Sequence, residues 1–402
     1  MKIILLLLWI PFISCLGQVA GGSNEGDSVN YAAYFINTRP THPLGIWLTR
    51  SQSLFRTRPL RRWELTAQVS SGNVWLPQVV AYHPLLAPDR AYLQGVPWHE
   101  RIYHFDPANQ PAEQMTFAAD GVLRLYHLGL LLPVGQHSEW GLTGRAYSLD
   151  RGGVPFSLIT SDAFIEWFHS NIAGGEDPFG RRRYGFDGAG VTYADTRGRQ
   201  LRIGNGQVGV AGFDINYRHY IRAVGLNDRG IYPNVGALVG INTSRVNATV
   251  DAGLLATVVW KSKGNKRTGL TVGIDIDAIR QGAVRLRDGV QLTDRKMTYA
   301  AELMVAGRWA TSSRHLLTLA FSGNVHSSYF RPGVDDYYVL EGERVTSHWP
   351  YAVSHLYKPL SGFNLSLGYG GGKIDGSVYL RQDYFVDNAP DLQGGMGVRI
   401  SL

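Results

Sequence analysis

Cysteine is almost absent from this 402-residue chain, where Cys15 is the only one. No disulfide can form within the chain, which removes a source of stability common in exported proteins. Long apolar runs are equally scarce. After the opening residues no stretch approaches 18 consecutive apolar residues, which excludes transmembrane helices. Nor does any element carry a block of Lys and Arg interleaved with aromatics, so the net charge of +7 gives no sign of a nucleic-acid partner.

The opening residues read as a signal peptide. Lys2 is its charged start, Ile3 to Cys15 its apolar core, and Cys15-Leu16-Gly17 places small residues at positions −3 and −1 of a cut before Gln18. The apolar run is too short to cross roughly 30 Å of hydrocarbon as a helix. A lipoprotein signal would instead cut before Cys15 and acylate its thiol, which Phe12-Ile13-Ser14 suits poorly. Three regions are expected: a signal peptide over 1–17, a periplasmic or lumenal segment over 18–62, and a β-barrel over 63–402.

What the chain has in quantity is glycine and two-residue alternation. Glycine, at 48 of 402 residues, exceeds the usual ~7% and suits a twisted sheet with tight turns. Leu270, Val272, Ile274 and Ile276 alternate with Thr271, Gly273, Asp275 and Asp277; Phe363, Leu365, Leu367 and Tyr369 alternate with Asn364, Ser366 and Gly368. Tyr299, Ala301, Leu303, Val305 and Trp309 oppose Glu302 and Arg308. Val250, Ala252, Leu254, Ala256, Val258 and Trp260 oppose Thr249, Asp251 and Thr257. A soluble sandwich also alternates, but here the polar face carries charge, as a wet lumen allows. The apolar face often ends in an aromatic: Trp63, Trp140, Trp260, Trp309 and Tyr369 stand where interfacial girdles sit.

The fold class expected is all-β, a transmembrane antiparallel β-barrel of about 12 strands, within roughly 10 to 14. Strands are predicted over 63–75, 119–132, 138–149, 207–222, 234–242, 248–260, 267–277, 298–310, 313–324, 361–369, 373–385 and 393–402. Short turns fall on one side and the long segments 76–118, 150–206, 278–297 and 325–360 on the other, as in barrels with tight periplasmic turns and longer outer loops. Fourteen strands result if a hairpin over 184–205 joins the wall. In the last strand Gly397, Ile400 and Leu402 suit the C-terminal pattern read by barrel-assembly machinery, with Leu402 in place of the usual Phe. The location expected is therefore integral in a Gram-negative outer membrane. The partners are that machinery during biogenesis, outer-membrane lipids, and lipopolysaccharide whose phosphates meet basic loops.

Segment 150–206 fits the barrel pattern least. Ser161-Asp162 can cap a short helix through His169, with Glu166 in its first turn and Phe164, Trp167 and Phe168 on one face, packed on the wall or inward as a plug. His169 is a structural hydrogen-bonding residue or, less in keeping with its helical setting, a catalytic base. Glu176 and Asp177 either pair with Arg181, Arg182 and Arg183 or offer carboxylates to calcium, and the arginines suit lipid phosphates. The inward Asp251, Asp275, Asp277, Glu302, Arg308, Arg381 and Asp383 form either a salt-bridged, hydrated interior or a selective ion path.

Leu149-Asp150-Arg151-Gly152-Gly153, Phe164-Ile165-Glu166-Trp167-Phe168-His169 and Gly175-Glu176-Asp177-Pro178-Phe179-Gly180-Arg181 together resemble the central signature of an uncharacterised family of Gram-negative outer-membrane proteins carrying a domain of unknown function. Asn37-Thr38-Arg39-Pro40-Thr41-His42-Pro43-Leu44 is similar to that family's opening motif, with His42 where Asn is expected. The resemblance covers about residues 35–225. It implies the same location and brings no established activity.

Function is less legible. A narrow channel or transporter for a small solute suits about 12 strands, which enclose less space than general porins. An outer-membrane lipid hydrolase is the alternative, but it needs a nucleophile and base in reach, and His127, His169, His219 and His326 are scattered. A structural or adhesive surface protein is the third reading, through Asp335, Asp336, Tyr337, Tyr338, Trp349 and Tyr351. No catalytic residue, cofactor or metal is assigned, and the oligomeric state stays open.

Overall fold

The computed structural model describes residues 42–152, 157–171, 189–263, 267–312, 315–342, 353, 356–371, 373–384 and 392–402. The alternating stretches form a wall of long strands: β1 (Glu64–Pro84), β2 (Ala112–Val134), β3 (Ser138–Asp150), then, after a short hairpin of β4 (Gly190–Ala194) and β5 (Gln200–Gly204), β6 (Val208–Tyr220), β7 (Ile231–Asn242), β8 (Ala248–Lys261), β9 (Thr268–Arg287), β10 (Met297–Ala310) and β11 (Leu316–His326). A short β12 (Val339–Gly342) precedes β13 (Leu360–Gly370), β14 (Ile374–Asp383) and β15 (Leu392–Ser401). The twelve long strands pair antiparallel in chain order, and β1 closes the cylinder by pairing with both β2 and β15.

Period-two side chains sort as the pleat requires. Leu254, Ile274, Leu303, Phe321 and Leu365 are exposed on the outside, while Asp251, Asp275, Glu302, Ser322 and Asn364 are buried within. Trp63, Trp140, Trp260, Trp309 and Tyr369 ring the outside near one end, called here the near end, where Glu64 of β1 lies opposite Ser401 of β15. The connections at this end are brief, such as Gly135 to His137 and the turn holding α3 (Val224–Asn227). The longest excursions, 85–111, 151–207 and 327–359, all leave from the far end.

Several strands outrun their sequence pattern. The expected loop 76–118 contains the end of β1 and the start of β2, and 278–297 contains the end of β9. Pro77 has no N–H for the ladder, and the β1–β2 register shifts between Leu76 and Val79, yet pairing resumes and continues to Pro84. Above this bulge β1 and β2 rise beyond the wall as an extension, flanked by β12 on one side and β4–β5 on the other. The hairpin expected over 184–205 thus joins the extension, which leaves the wall at twelve strands. The 85–111 excursion adds α1 (Ala87–Gln94) and a 3₁₀ turn at Arg101–Tyr103 that no alternation announces.

The interior departs from a uniformly wet lumen. On β1 the inward Glu64, Thr66, Gln68 and Ser70 give way to Val74 and Leu76; on β3 Glu139, Thr143 and Arg145 give way to Tyr147 and Leu149. These far-end residues join Met115, Phe117, Tyr193, Ile203, Tyr329, Tyr338, Leu356 and Tyr357 in one apolar core that caps the cylinder.

Candidate functional site: a filled lumen

Chain from before the first strand occupies the barrel's interior. His42 to Leu48 are buried around a 3₁₀ turn, Pro43–Trp47. His42 Nδ1 accepts the Leu44 N–H at 3.2 Å, the capping role that Asn commonly fills, and Pro43 supplies the fixed φ of a first helical position. Trp47 stacks edge-on to Tyr147 with ring centroids 5.4 Å apart, and Leu44 and Ile46 join the far-end core. From there the segment passes down the cylinder without regular secondary structure to Arg56.

Its contacts with the wall are mostly polar. Arg145 donates to the carbonyl oxygens of Ile46 and Leu48, Asn247 to that of Trp47 at 2.7 Å, Gln281 to that of Thr49 at 3.0 Å and Arg218 to that of Gln52 at 2.9 Å. Ser51 donates to Asp277, and Ser53 to Glu302 at 2.6 Å and Asp275 at 3.2 Å. Phe55 is the apolar exception, packed with Val259, Met304, Ala306 and Ala320. At the near end Arg56 is buried between Glu64 and Glu139, at 3.3 and 3.2 Å, and Glu139 also accepts from the Tyr220 hydroxyl and the Leu60 N–H. Arg399 of β15 completes the cluster by pairing with Glu64 and Asp375.

Two wall glycines make room for this segment. A methyl at Gly273 would overlap the Phe55 ring, and one at Gly240 would overlap Thr49. Among the described residues a space of about 10 Å³, enough for one water, remains beside Arg50, Gln52, His127, Arg145 and Asp214.

The inward residues read from the sequence fall into separate groups. Asp275 and Glu302 are direct cross-strand partners, a like-charge pairing that is unfavourable unless solvated. Ser53 bonds both, and Arg218 lies 3.7 Å from Asp275. Asp277 meets Ser51, while Asp251 accepts from Asn242, Thr249 and the Gly282 N–H. Arg308 lies near the bottom of β10, and Arg381 and Asp383 are buried along β14, apart from the acidic group.

The loop residues do not converge on a site. Asp162 is buried in the first turn of α2 (Asp162–Asn171) and accepts from Asn73; Glu166 accepts from Ser170 at 3.3 Å. The backbone of His169 lies in α2, and Glu176, Asp177, Arg181, Arg182 and Arg183 lie outside the described residues. The helix itself inverts the expected packing. Ile165 is buried, whereas Trp167 and Phe168 are exposed, and the segment that fills the lumen is 42–56.

Sequence reasoning missed Ser51, Ser53, Phe55 and Arg56 as residues that fill the lumen. Their signal was available only in outline, as a Ser- and Arg-containing segment with Trp47 and Phe55 preceding the first strand. It also missed that Ser138 Oγ lies 3.0 Å from His219 Nδ1. That pair faces outward at the near rim, where Ser138 also bonds the Tyr217 hydroxyl and Trp140 packs on the Tyr217 ring, within the aromatic girdle. Among the described residues no three His, Cys, Asp or Glu side chains gather to hold a metal ion.

No family model matches this chain, and no curated protein does. Among solved structures it is similar to an outer membrane channel from Pseudomonas putida F1, at 10% identity over 87% of this chain and 99% of that one, with a TM-score of 0.39. The NanC porin aligns at 10% identity over 70% and 94% of the two chains with a TM-score of 0.35, and the P. putida toluene transporter TodX at 8% over 85% and 91% with 0.28. Likenesses this distant carry no weight here. The class of protein rests on the closed strand register: a twelve-stranded β-barrel with an apolar exterior and a filled lumen.

Proposed function

We propose that the protein is an outer-membrane channel for a small solute, held shut at rest by its own residues 42–56. A closed cylinder with an apolar belt leaves no unpaired wall edge and needs hydrocarbon around it, which supports the location. The observation that carries the channel reading is the chemistry of the closure. Apart from Phe55 and the far-end turn, the segment is held by hydroxyls, carbonyls and guanidinium groups, Arg56 among them, which can exchange the wall for water. A segment built only to fill space would be packed by apolar contacts throughout.

The test is planar-bilayer recording of the intact protein beside a variant lacking residues 42–58. Both are first checked for a folded barrel by heat-dependent mobility in detergent gels. The intact protein is expected to be closed nearly all the time and the deletion to conduct steadily. A folded, inserted deletion variant as silent as the parent would end the channel reading.

A further inference from the structure

The outward face of the wall turns polar on β1 and β2. After Leu65, Ala67 and Val69 the next outward positions are Ser71 and Asn73, and outward Arg124 stands opposite Ser71. At about 3.3 Å per residue along a strand tilted about 40°, Ser71 and Asn73 lie roughly 18 and 23 Å above Glu64, near the top of a belt about 25 Å tall. Bare polar groups there would be costly against hydrocarbon.

They are not bare, because residues 157–171 lie over them. Ser71 Oγ is 3.1 Å from Ser157 Oγ and 2.7 Å from Thr160 Oγ1. Asn73 donates to the Thr160 carbonyl at 3.0 Å and to Asp162 at 2.6 Å. Arg124 donates to Ser157 and pairs with Asp150 at 2.9 Å. Ile159 reaches across to Gly394 on β15, where a methyl would meet its Cδ1 at 3.0 Å. The segment is therefore fastened to the exterior of the barrel, with Asp162 and Ile165 of α2 against it.

The opposite face of α2 carries Phe164, Trp167 and Phe168, whose rings pack on one another. Leu158 is 62% exposed, Trp167 51% and Phe168 39%. This apolar face is continuous with the outward belt through Ile159, Gly394 and exposed Leu380. We propose that residues 157–171 are an interfacial anchor whose partner is membrane lipid, with the outward face of α2 and Leu158 seated at the headgroup–acyl boundary of the far leaflet. Trp and Phe on a helix lying in the bilayer plane suit that depth. The proposal rests on the membrane reading above.

The test uses the full chain carrying Cys15→Ser, with one cysteine introduced at a time and labelled with an environment-sensitive fluorophore. Trp167→Cys and Leu158→Cys are the test sites, Leu303→Cys on the outward face of β10 the lipid control, and Ala108→Cys in the far 85–111 excursion the solvent control. Each is reconstituted into phosphatidylcholine vesicles with and without brominated acyl chains. The expected result is blue-shifted emission at 158 and 167, quenched about twofold or more by bromolipid as at 303, with 108 unaffected. Solvent-like emission at 158 and 167, or a blue shift without quenching as from cover by other protein, overturns the proposal while 303 remains quenched. If 303 also escapes quenching, the membrane reading itself fails.

Discussion

At the scale of single residues, Arg56 is the point on which the closed lumen turns. Its guanidinium is buried between the carboxylates of Glu64 and Glu139, so removing it leaves both carboxylates buried with part of their compensation gone. Breaking a buried ion pair from one side costs about 3–5 kcal/mol. That cost falls on the docked state, because an open lumen lets both carboxylates hydrate. On the proposed channel reading, Arg56→Ala is therefore expected to raise the open probability by about tenfold or more, with Arg56→Lys in between. Single-channel recordings decide it, and unchanged gating in a folded Arg56→Ala protein would show that the near-end cluster does not hold the segment. Gly240 and Gly273 are the complementary feature. The glycine surplus, read from the sequence as a device for twist and turns, also clears space for a second layer of chain inside the wall.

At the scale of elements, the extension of β1 and β2 packs into the apolar far-end core through Val79, Ala81, Met115 and Phe117. His83 lies in this extension, past the bulge at Pro77, and its Nε2 is 2.8 Å from the Tyr357 hydroxyl. Burial pushes Tyr357 well above its ordinary range, so the hydroxyl keeps its proton. Burial likewise lowers His83 from 6.5 to about 4. As pH falls below 6.5 the unfolded segment takes up a proton that the packed segment refuses. Its stability is thus fully present above about pH 6.5 and declines by about 3 kcal/mol down to pH 4. Amide exchange, corrected for intrinsic rates, should show weaker protection of residues 80–83 and 113–117 at pH 5 than at pH 7, and His83→Gln should flatten that difference. Equal protection at both pH values in the parent would refute the link.

The same extension explains where the sequence became unreadable. Well below Pro77, over Glu64–Ser70, β1 separates an apolar outside from a polar interior, and polarity alternates as the pleat does. Above Pro77 Val79-Val80-Ala81 runs apolar without alternation, because β12 and the capping loops cover what lipid and water no longer face. The helix over 162–171 was legible from Ser161 and the apolar spacing, and Ser161 Oγ does accept the Phe164 N–H at 3.2 Å. Which side of the helix meets the wall was not legible, because an aromatic stripe marks a protein core and a lipid interface equally well.

At the scale of the whole molecule, Asp251, Asp275, Asp277 and Glu302 from three adjacent strands give one flank of the lumen a negative lining; Ser51, Ser53 and Arg218 solvate Asp277, Asp275 and Glu302, and Asn242, Thr249 and the Gly282 N–H solvate Asp251. With the segment withdrawn, that lining should favour cations, since carboxylates around a narrow path concentrate them. In a salt gradient, the variant lacking residues 42–58 is expected to show a cation-preferring reversal potential, reduced when Asp275→Asn and Glu302→Gln are added. An anion preference, or none, would contradict it.

The amino-acid sequence alone determined the wall. Two-residue alternation, charges on one face and aromatics at the ends of the other specify a barrel of about twelve strands and its inside and outside, because each strand records its two surroundings directly; the exact count needed the 190–204 hairpin to be placed outside the wall. What occupies the lumen and what lies against the outer wall were decided only by tertiary structure. Residues 42–56 and 157–171 make hydrogen bonds to positions far away in the chain, and a serine that bonds a distant carboxylate reads, in sequence, like any serine in a loop.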